Sequence, residues 1–556
     1  MTTSPLRVPH RIVIVGFGMV GVRLADELAR RDTGGALDVT VLGAEPYEPY
    51  NRVLLSDVVA GRTDVAAIAM PLPDDARTTV RREVAAVAVD RVARVVLADD
   101  GTRHPYDHLV LATGSAARVP AIPGLDDAAT GPASGVRMPA GVHALRTLDD
   151  AREIVAATVN TPRAVVVGGG VLGVEAAHGL ASRGLDVTLV HPGPAPMERQ
   201  LAPEAGAVLT HGLEATGVTV RTGARPSEVL VVGGRAVGVR LDGDVREPGE
   251  VLGAGLVVLA CGTVPETALA RAAGLPVERG VVVGPDLACP TDPRVYAVGD
   301  CAQPPEGSRG LVAEGWDQAR RLAEHLVSLA AAPLPAAPPE QRVPRREHLR
   351  LPGDGGPSMA VRLGTLLSSR APSARGVDAR GTDVVKVKAG DLSVVSMGVA
   401  GAGAGTAPGQ RAVRLADPAA GRFVEAVVAD GVLVGATCVG DARVAADLVA
   451  AYTRRTPAPV DPAFLLLTPV MPSAAPATSP EQMPDDATVC RCNGVTKHDI
   501  AECVADGAAT ADDVAEKTRA TTGCGSCREA VCGLVDWLDR SRRSDDTSAV
   551  EVAAPR

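Results

Sequence analysis

Four cysteines near the carboxyl end stand in two tight pairs, Cys490-Arg491-Cys492 and Cys524-Gly525-Ser526-Cys527, with 31 residues between the pairs. Four thiolates in that pattern suit zinc or an iron–sulfur cluster. Zinc sites usually keep roughly two to four residues between paired cysteines, so the single residue between Cys490 and Cys492 is unusual for zinc. Cys503 and Cys532 fall at helical spacings among apolar neighbours and read as core. Cys261, Cys289, Cys301 and Cys438 read as small buried hydrophobes.

A second chemistry is carried by glycine. Gly16-Phe17-Gly18-Met19-Val20-Gly21 follows the apolar run Arg11–Val15, and Gly168-Gly169-Gly170-Val171-Leu172-Gly173 follows Ala164–Val167. In such a turn the first glycine (Gly16, Gly168) permits a tight bend. The second (Gly18, Gly170) lets the backbone approach a pyrophosphate, and the third (Gly21, Gly173) lets helix and strand pack closely. One match alone could be a packing turn; two in the same strand–turn–helix context argue for dinucleotide binding. A ribose needs an acid beyond the next strand, and Glu45, 24 residues after Gly21, is the candidate, with a solvated loop carboxylate as the alternative. The second unit's strand ends at Val190-His191-Pro192 with neither acid nor arginine, although Arg199 is within reach, so NAD and NADP stay open.

The elements that must hold these residues are legible. Val20, Leu24 and Leu28 mark one face of a helix, and Val39–Leu42 and Leu185–Val190 are the second strands of their units. The units lie about 150 residues apart, a duplication rather than a solenoid. Asp107–Ala112 is an apolar strand leading into Thr113-Gly114-Ser115. Pro/Ala-rich stretches at Ala331–Pro344 and Thr456–Pro484 read as linkers. Between them, Asp383–Gly398 and Arg422–Gly440 alternate apolar and polar residues around an Asp430-Gly431 turn, and a helix follows near Asp441–Ala451. Ala487–Asp539 reads as helical, with Thr496 and Thr510 placed to cap short helices.

The chain has 556 residues, which at about 150 per domain suggests three or four domains. Only ten aromatic residues and a net charge of −10 argue against a nucleic-acid surface. Met1–His10 has no apolar core, so no secretory signal is expected, and no run is long and apolar enough to suggest a membrane span. Ten cysteines in this length do not make a disulfide scaffold, and a cytoplasmic location is expected.

In order along the chain stand the first glycine turn, Ala112-Thr113-Gly114, Gly168–Gly173 with Glu175, and Tyr296-Ala297-Val298-Gly299-Asp300. The chain thereby resembles the FAD-dependent pyridine-nucleotide oxidoreductases. That resemblance implies that Thr113 and Gly114 lie where the chain crosses between two domains, that Asp300 after Gly299 bonds the flavin's ribityl chain, and that Glu175 sits near the nicotinamide. The alternative for Asp300, a helix N-cap, does not explain the preceding Tyr-Ala-Val-Gly. Cys301 is the one cysteine whose position invites a flavin contact. Pro49-Tyr50-Asn51-Arg52-Val53-Leu54-Leu55-Ser56 is similar to the flavoprotein portion of bacterial nitrite reductase large subunits and assimilatory nitrate reductase electron-transfer subunits, with Arg52 as a cation near the flavin. Pro196–Leu201 shares that subgroup's look, without an inferred role. The cysteine segment resembles the helical [2Fe-2S] domain of bacterioferritin-associated ferredoxin, which implies Cys490, Cys492, Cys524 and Cys527 as cluster ligands. Gly523 and Gly525 would leave N–H groups free for the sulfides.

The resemblance implies an α/β fold. Its parts are a discontinuous FAD-binding Rossmann-like domain at 8–125 and 275–330, and an NAD(P)-binding one at 140–270. A linker or insertion at 331–382 follows, then a small β-rich α+β domain at 383–452 and a linker at 453–486. A helical [2Fe-2S] domain at 487–540 and a disordered tail at 541–556 complete it. No cysteine precedes Cys261, so the dithiol of disulfide reductases is absent and electrons must leave by another acceptor. Nitrite reductases continue into a sirohaem and [4Fe-4S] region, and no further cysteine follows Cys532 here, so nitrite reduction by this chain alone is not expected. The expected activity takes electrons from NAD(P)H through FAD and [2Fe-2S] to a separate terminal reductase, an assimilatory nitrate reductase, with no side-chain acid or base. Ferredoxin or rubredoxin reduction, and iron release linked to an iron-storage partner, are the alternatives. A homodimer is the oligomeric expectation, with neither nucleic acid nor membrane as partner.

Overall fold

The computed structural model describes residues 9–72, 75–125, 138–243, 249–331, 383–390, 392–401, 404–467, 480, 483–490, 495–521 and 527–551, the last span with side chains to 542. The insertion expected at 331–382 lies outside these residues from 332 onward, as do 468–479 of the second linker and two of the four paired cysteines, Cys492 and Cys524.

The first unit begins β1 (His10–Val15), α1 (Met19–Arg31), β2 (Leu37–Gly43), α2 (Leu55–Ala60), β3 (Thr78–Arg82), β4 (His108–Leu111) and β5 (Ser115–Ala117). The second unit contains β6 (Val142–Ala144), β7 (Arg163–Val167), α3 (Val171–Ser182), β8 (Asp186–His191), α4 (Pro203–Ala215), β9 (Val218–Thr222), β10 (Leu256–Leu259) and β11 (Thr263–Pro265). The chain then returns with β12 (Ala288–Cys289), β13 (Asp292–Ala297) and α5 (Val312–Ala331).

The first sheet has the order β12-β13-β4-β1-β2-β3, parallel except for the β12–β13 pair, so residues far down the chain complete a sheet begun at His10. Ile12 to Val15 are all buried, as the unbroken apolar run requires when both faces of a parallel sheet are covered. Leu24 and Leu28 of α1 are fully buried against it, and the Trp316 indole N–H of α5 donates to the Met19 carbonyl at 3.0 Å. The second sheet, β9-β8-β7-β10-β6, is parallel throughout. The units exchange chain where β5 pairs antiparallel with β11.

A third, antiparallel sheet joins β14 (Val385–Ala389), β15 (Leu392–Gly398), β16 (Arg411–Asp417), β17 (Arg422–Ala429) and β18 (Val432–Val439) in the order β14-β15-β18-β17-β16. Asp430 (φ 49°) and Gly431 (φ 73°) form the left-handed pair that a two-residue hairpin turn needs. The expected alternation fails in β17, where Phe423 to Val428 are buried without a break. Helix α6 (Ala442–Arg454), capped by Asp441, covers one face of the sheet, and α4 of the second unit packs against the same strands. Part of the second linker is also structured: Pro457 bridges to Val432, and Leu466 is buried on the third sheet's core.

The fourth unit consists of α7 (Lys497–Ala505), α8 (Ala511–Thr518) and α9 (Arg528–Glu551) around Ile500, Val514 and Val531. Thr496 with Asp499 and Thr510 with Asp513 form reciprocal capping boxes. Helix α9 runs past Ser541 to Glu551, beyond the start of the expected tail.

Candidate functional site

Two cradles of the same shape open the two dinucleotide units. Gly16 takes φ +113°, and a Cβ there would lie 2.2 Å from the Ala112 carbonyl oxygen. Gly168 takes φ +112°, with the Ala260 carbonyl oxygen at 2.3 Å from its would-be Cβ. A side chain at Gly21 would meet the Gly16 oxygen at 1.9 Å, and one at Gly173 the Gly168 oxygen at 1.7 Å. The middle glycines face open space: Gly170 has nothing within 4 Å, and Gly18 has only the Arg52 Nε at 3.9 Å. Gly18 and Gly170 are the N-caps of α1 and α3, and no side chain caps either helix. Each helix therefore presents uncapped first-turn N–H groups and its positive dipole end to whatever anion enters, which is the fit a dinucleotide pyrophosphate requires.

Glu45 lies two residues beyond β2. It accepts a hydrogen bond from the Tyr50 hydroxyl at 2.7 Å and is paired with Arg52. The Arg52 guanidinium stacks on the Tyr50 ring at 4.8 Å and donates to the Arg146 carbonyl at 3.2 Å. Burial pushes the Tyr50 hydroxyl well above its usual range, so it stays a donor to Glu45. Arg52 is thus set beside Gly18, at the mouth of the first cradle.

Thr113 donates from its hydroxyl to the Glu266 carbonyl at 2.7 Å, and Gly114 (φ +70°) accepts from the Glu266 N–H at 2.9 Å, so both stand at the crossing between units. Asp300 follows Gly299, whose φ of +73° brings it against Val20 of α1. Asp300 lies inside a single 3-10 turn, Gly299–Cys301, whose N-cap is Val298. The Asp300 Oδ2 accepts from the Ser115 hydroxyl at 2.6 Å and from Arg146 Nη2 at 2.9 Å. Cys301 is fully buried, its thiol donating to the Leu111 and Val298 carbonyls at 3.4 and 3.3 Å, so it turns into the strand layer.

Glu175, 3% exposed, joins three units. It accepts from the Ser56 hydroxyl at 2.6 Å and from the Lys388 backbone N–H at 2.8 Å, and pairs with Lys388 Nζ at 3.2 Å. The same ammonium lies 3.4 Å from Asp57 and donates to the Val53 carbonyl. Sequence reasoning missed Arg146 and Lys388, because a lone arginine in a loop and a lysine on a strand have no spacing signal of their own. In the second unit the Gly169 N–H donates to His191 Nδ1 at 3.2 Å, and Glu198 comes within 3.7 Å of His191 Nε2, while Arg199 is exposed. Burial lowers the His191 imidazole's affinity for a proton.

Cys490 and Cys527 are 2% and 8% exposed and share one core with Val495, Ile500 and Val531. Two buried thiols sharing one small core suit half of a four-thiolate cluster site. Among the described residues no group of three or more metal-ligating side chains is found. Cys503 is buried as expected, but Cys532 is exposed and so is not core, and Cys261 is only partly buried.

A family model, pyridine nucleotide-disulphide oxidoreductase, matches residues 10–322. The chain belongs to this family. A second model, the BFD-like [2Fe-2S] binding domain, matches residues 488–537. The chain is accordingly an oxidoreductase, with FAD and NAD(P)H as the cofactors of the first region and a [2Fe-2S] cluster as that of the second. It is 30% identical over 527 residues to a nitrite reductase [NAD(P)H] of Bacillus subtilis (strain 168), covering 94% of this chain and 57% of that one. It is 27% identical over 546 residues to the assimilatory nitrate reductase electron transfer subunit of the same organism, covering 97% and 61%. The chain thus spans about three fifths of the length of these relatives. The rhodocoxin reductase of Rhodococcus erythropolis is 35% identical over 325 residues, 57% of this chain and 71% of that one. Among solved structures, the putidaredoxin reductase–putidaredoxin complex shares the fold, with TM-score 0.61 at 24% identity over 82% of this chain and 95% of that one.

Proposed function

We propose that the protein draws electrons from NAD(P)H and delivers them through its own iron–sulfur domain to a separate terminal reductase, with an assimilatory nitrate reductase as the physiological acceptor. Bound FAD would supply acceptance of a hydride, two electrons and one proton, from NAD(P)H, and a bound [2Fe-2S] cluster would supply one-electron transfer.

The chain's own residues bind and orient. Gly16, Gly18 and Gly21 cradle the FAD pyrophosphate, with Glu45 for its ribose and Arg52 as a cation beside it. Asp300, held by Ser115 and Arg146, takes the ribityl hydroxyls, and Thr113 and Gly114 carry the crossing between units. Gly168, Gly170 and Gly173 cradle the nicotinamide dinucleotide, and Glu175 closes the seam at its reacting end. Cys490, Cys492, Cys524 and Cys527 hold the cluster. In this reading residues 8–125 with 275–330 form the FAD domain, 140–270 the NAD(P) domain, 383–452 the small domain and 487–540 the cluster domain. Among the described residues no helix is long and apolar enough to cross a membrane, and a cytoplasmic protein is part of the proposal.

The observation that carries the reading is the pair of uncapped glycine cradles in one chain with a two-pair cysteine unit and no cysteine before Cys261. The test is NADH oxidation by the reconstituted protein with nitrate reductase, a ferredoxin or a dye as acceptor. Reduction of nitrate reductase supports the proposal; electrons reaching only a dye would refute it. A second reading, ferredoxin-type reduction, draws on the 35% identity to rhodocoxin reductase and is read in the same assay.

A further inference from the structure

The fourth unit is seated on α1 of the first unit by a charged contact. Arg519, between α8 and the Cys524/Cys527 pair, is only 3% exposed. Its Nε lies 3.0 Å from Asp26 Oδ2 on α1, and its Nη2 donates to the Pro71 carbonyl at 3.1 Å. Both partners belong to the first unit. The backbone takes φ 64° at Arg519 and 69° at Thr521, a left-handed conformation that side-chain-bearing residues hold only where surrounding contacts fix it. Ala520 between them is fully buried. On the same helix Arg23, itself 8% exposed, is paired with Glu27 at 2.6 Å. Burial lowers Arg23 to about 10, its acidic neighbour Asp26 opposing. Buried guanidiniums are tolerated only where their partners are well placed, so this contact is specific to one pose. It also sets the cysteine unit on the helix whose N-terminus is the Gly18 cradle.

We propose that Arg519 is the latch that docks the four-cysteine unit on α1, and that this docked pose is the one in which the cluster is loaded. The inference rests on the electron path proposed above. Per NADH oxidised, two electrons leave the flavin for the cluster one after the other. Each reduces one ferric ion, the proton is released to solvent, and an outside one-electron acceptor reoxidises the cluster between them.

The test uses the full-length holoprotein with Arg519→Glu, Asp26→Asn and Arg519→Lys. Asp26→Asn lies outside the cysteine unit and cannot unfold it directly, and iron content checks cluster retention in all three. Hydrogen exchange over residues 510–521 reads the latch, and anaerobic stopped-flow with NADH reads flavin and cluster bleaching separately. Arg519→Glu and Asp26→Asn are expected to raise exchange and slow cluster reduction by at least about tenfold, with flavin reduction unchanged and Arg519→Lys falling between. Unchanged exchange would overturn the latch. Raised exchange with an unslowed cluster would overturn the loading pose. A wild-type cluster that never accepts electrons although flavin does would refute the electron path and with it the loading pose, while exchange still judges the latch.

Discussion

Replacing Lys388 with methionine removes the ammonium that reaches Glu175 and Asp57 across the three-unit seam. At 3.2 Å and an effective dielectric of about 20, the Lys388–Glu175 attraction is about 5 kcal/mol before desolvation. The lysine side chain is 22% exposed, and Glu175 keeps the Ser56 hydroxyl and the Lys388 N–H, so the net loss is smaller, about 2–3 kcal/mol. That corresponds to roughly a 30- to 150-fold larger opening constant at the seam. Native-state hydrogen exchange of 385–389 and 53–60 in the full chain measures it, and a cycle with Glu175→Gln isolates the pair. Glu175→Gln in the Lys388→Met background should recover most of the loss, because an uncharged amide no longer needs the cation. A coupling energy below about 0.5 kcal/mol would refute the reasoning, and with it the view that the third sheet is clamped to the dinucleotide units by charge.

Gly18→Asp should fold well, because aspartate is a favourable N-cap, yet lose flavin, because its carboxylate takes the N–H groups and repels the pyrophosphate; the flavin-to-protein absorbance ratio of the purified variant checks this. Gly170→Asp should instead retain flavin and raise the KM for NADH at least about tenfold, read in a dye-coupled assay. Cys524→Ser should yield a yellow, iron-depleted protein whose flavin is still bleached by NADH, as iron analysis and visible spectra will show. His108 is lowered from its usual 6.5 to about 4, chiefly by burial and then by His10, with His325 and Arg294 adding and Asp107 opposing. The unfolded chain therefore binds the proton first, so about 3 kcal/mol of stability present above pH 6.5 is lost as pH falls toward 4. His108→Phe should flatten the fall in thermal midpoint between about pH 7 and pH 5, and an unchanged slope would show that the effect arises elsewhere.

Both glycine turns, the Asp430-Gly431 hairpin and the capping threonines of the fourth unit were legible because each is a local rule, whereas the crossing at Thr113 and Gly114 was implied only by the family resemblance. A positive φ, a helix start or a two-residue hairpin depends on neighbours in sequence. The alternation expected in the third sheet failed at Phe423–Val428 for the opposite reason. The second face is covered by α4, which lies some 200 residues earlier in the chain. Cys532, at a helical spacing among apolar neighbours, turned out exposed because spacing defines a helix face but not what covers it.

The amino-acid order alone therefore determined the kind of chemistry: two anion cradles, an ordered set of nucleotide-binding motifs and four paired thiols. Only the tertiary structure decided which charges meet: Arg146 with Asp300, Lys388 with Glu175, and Arg519 with Asp26. These pairs join residues 154, 213 and nearly 500 positions apart, at distances that packing sets and no local pattern encodes. A buried charge is recognised by the partner that compensates it, and that partner exists only once the units have come together.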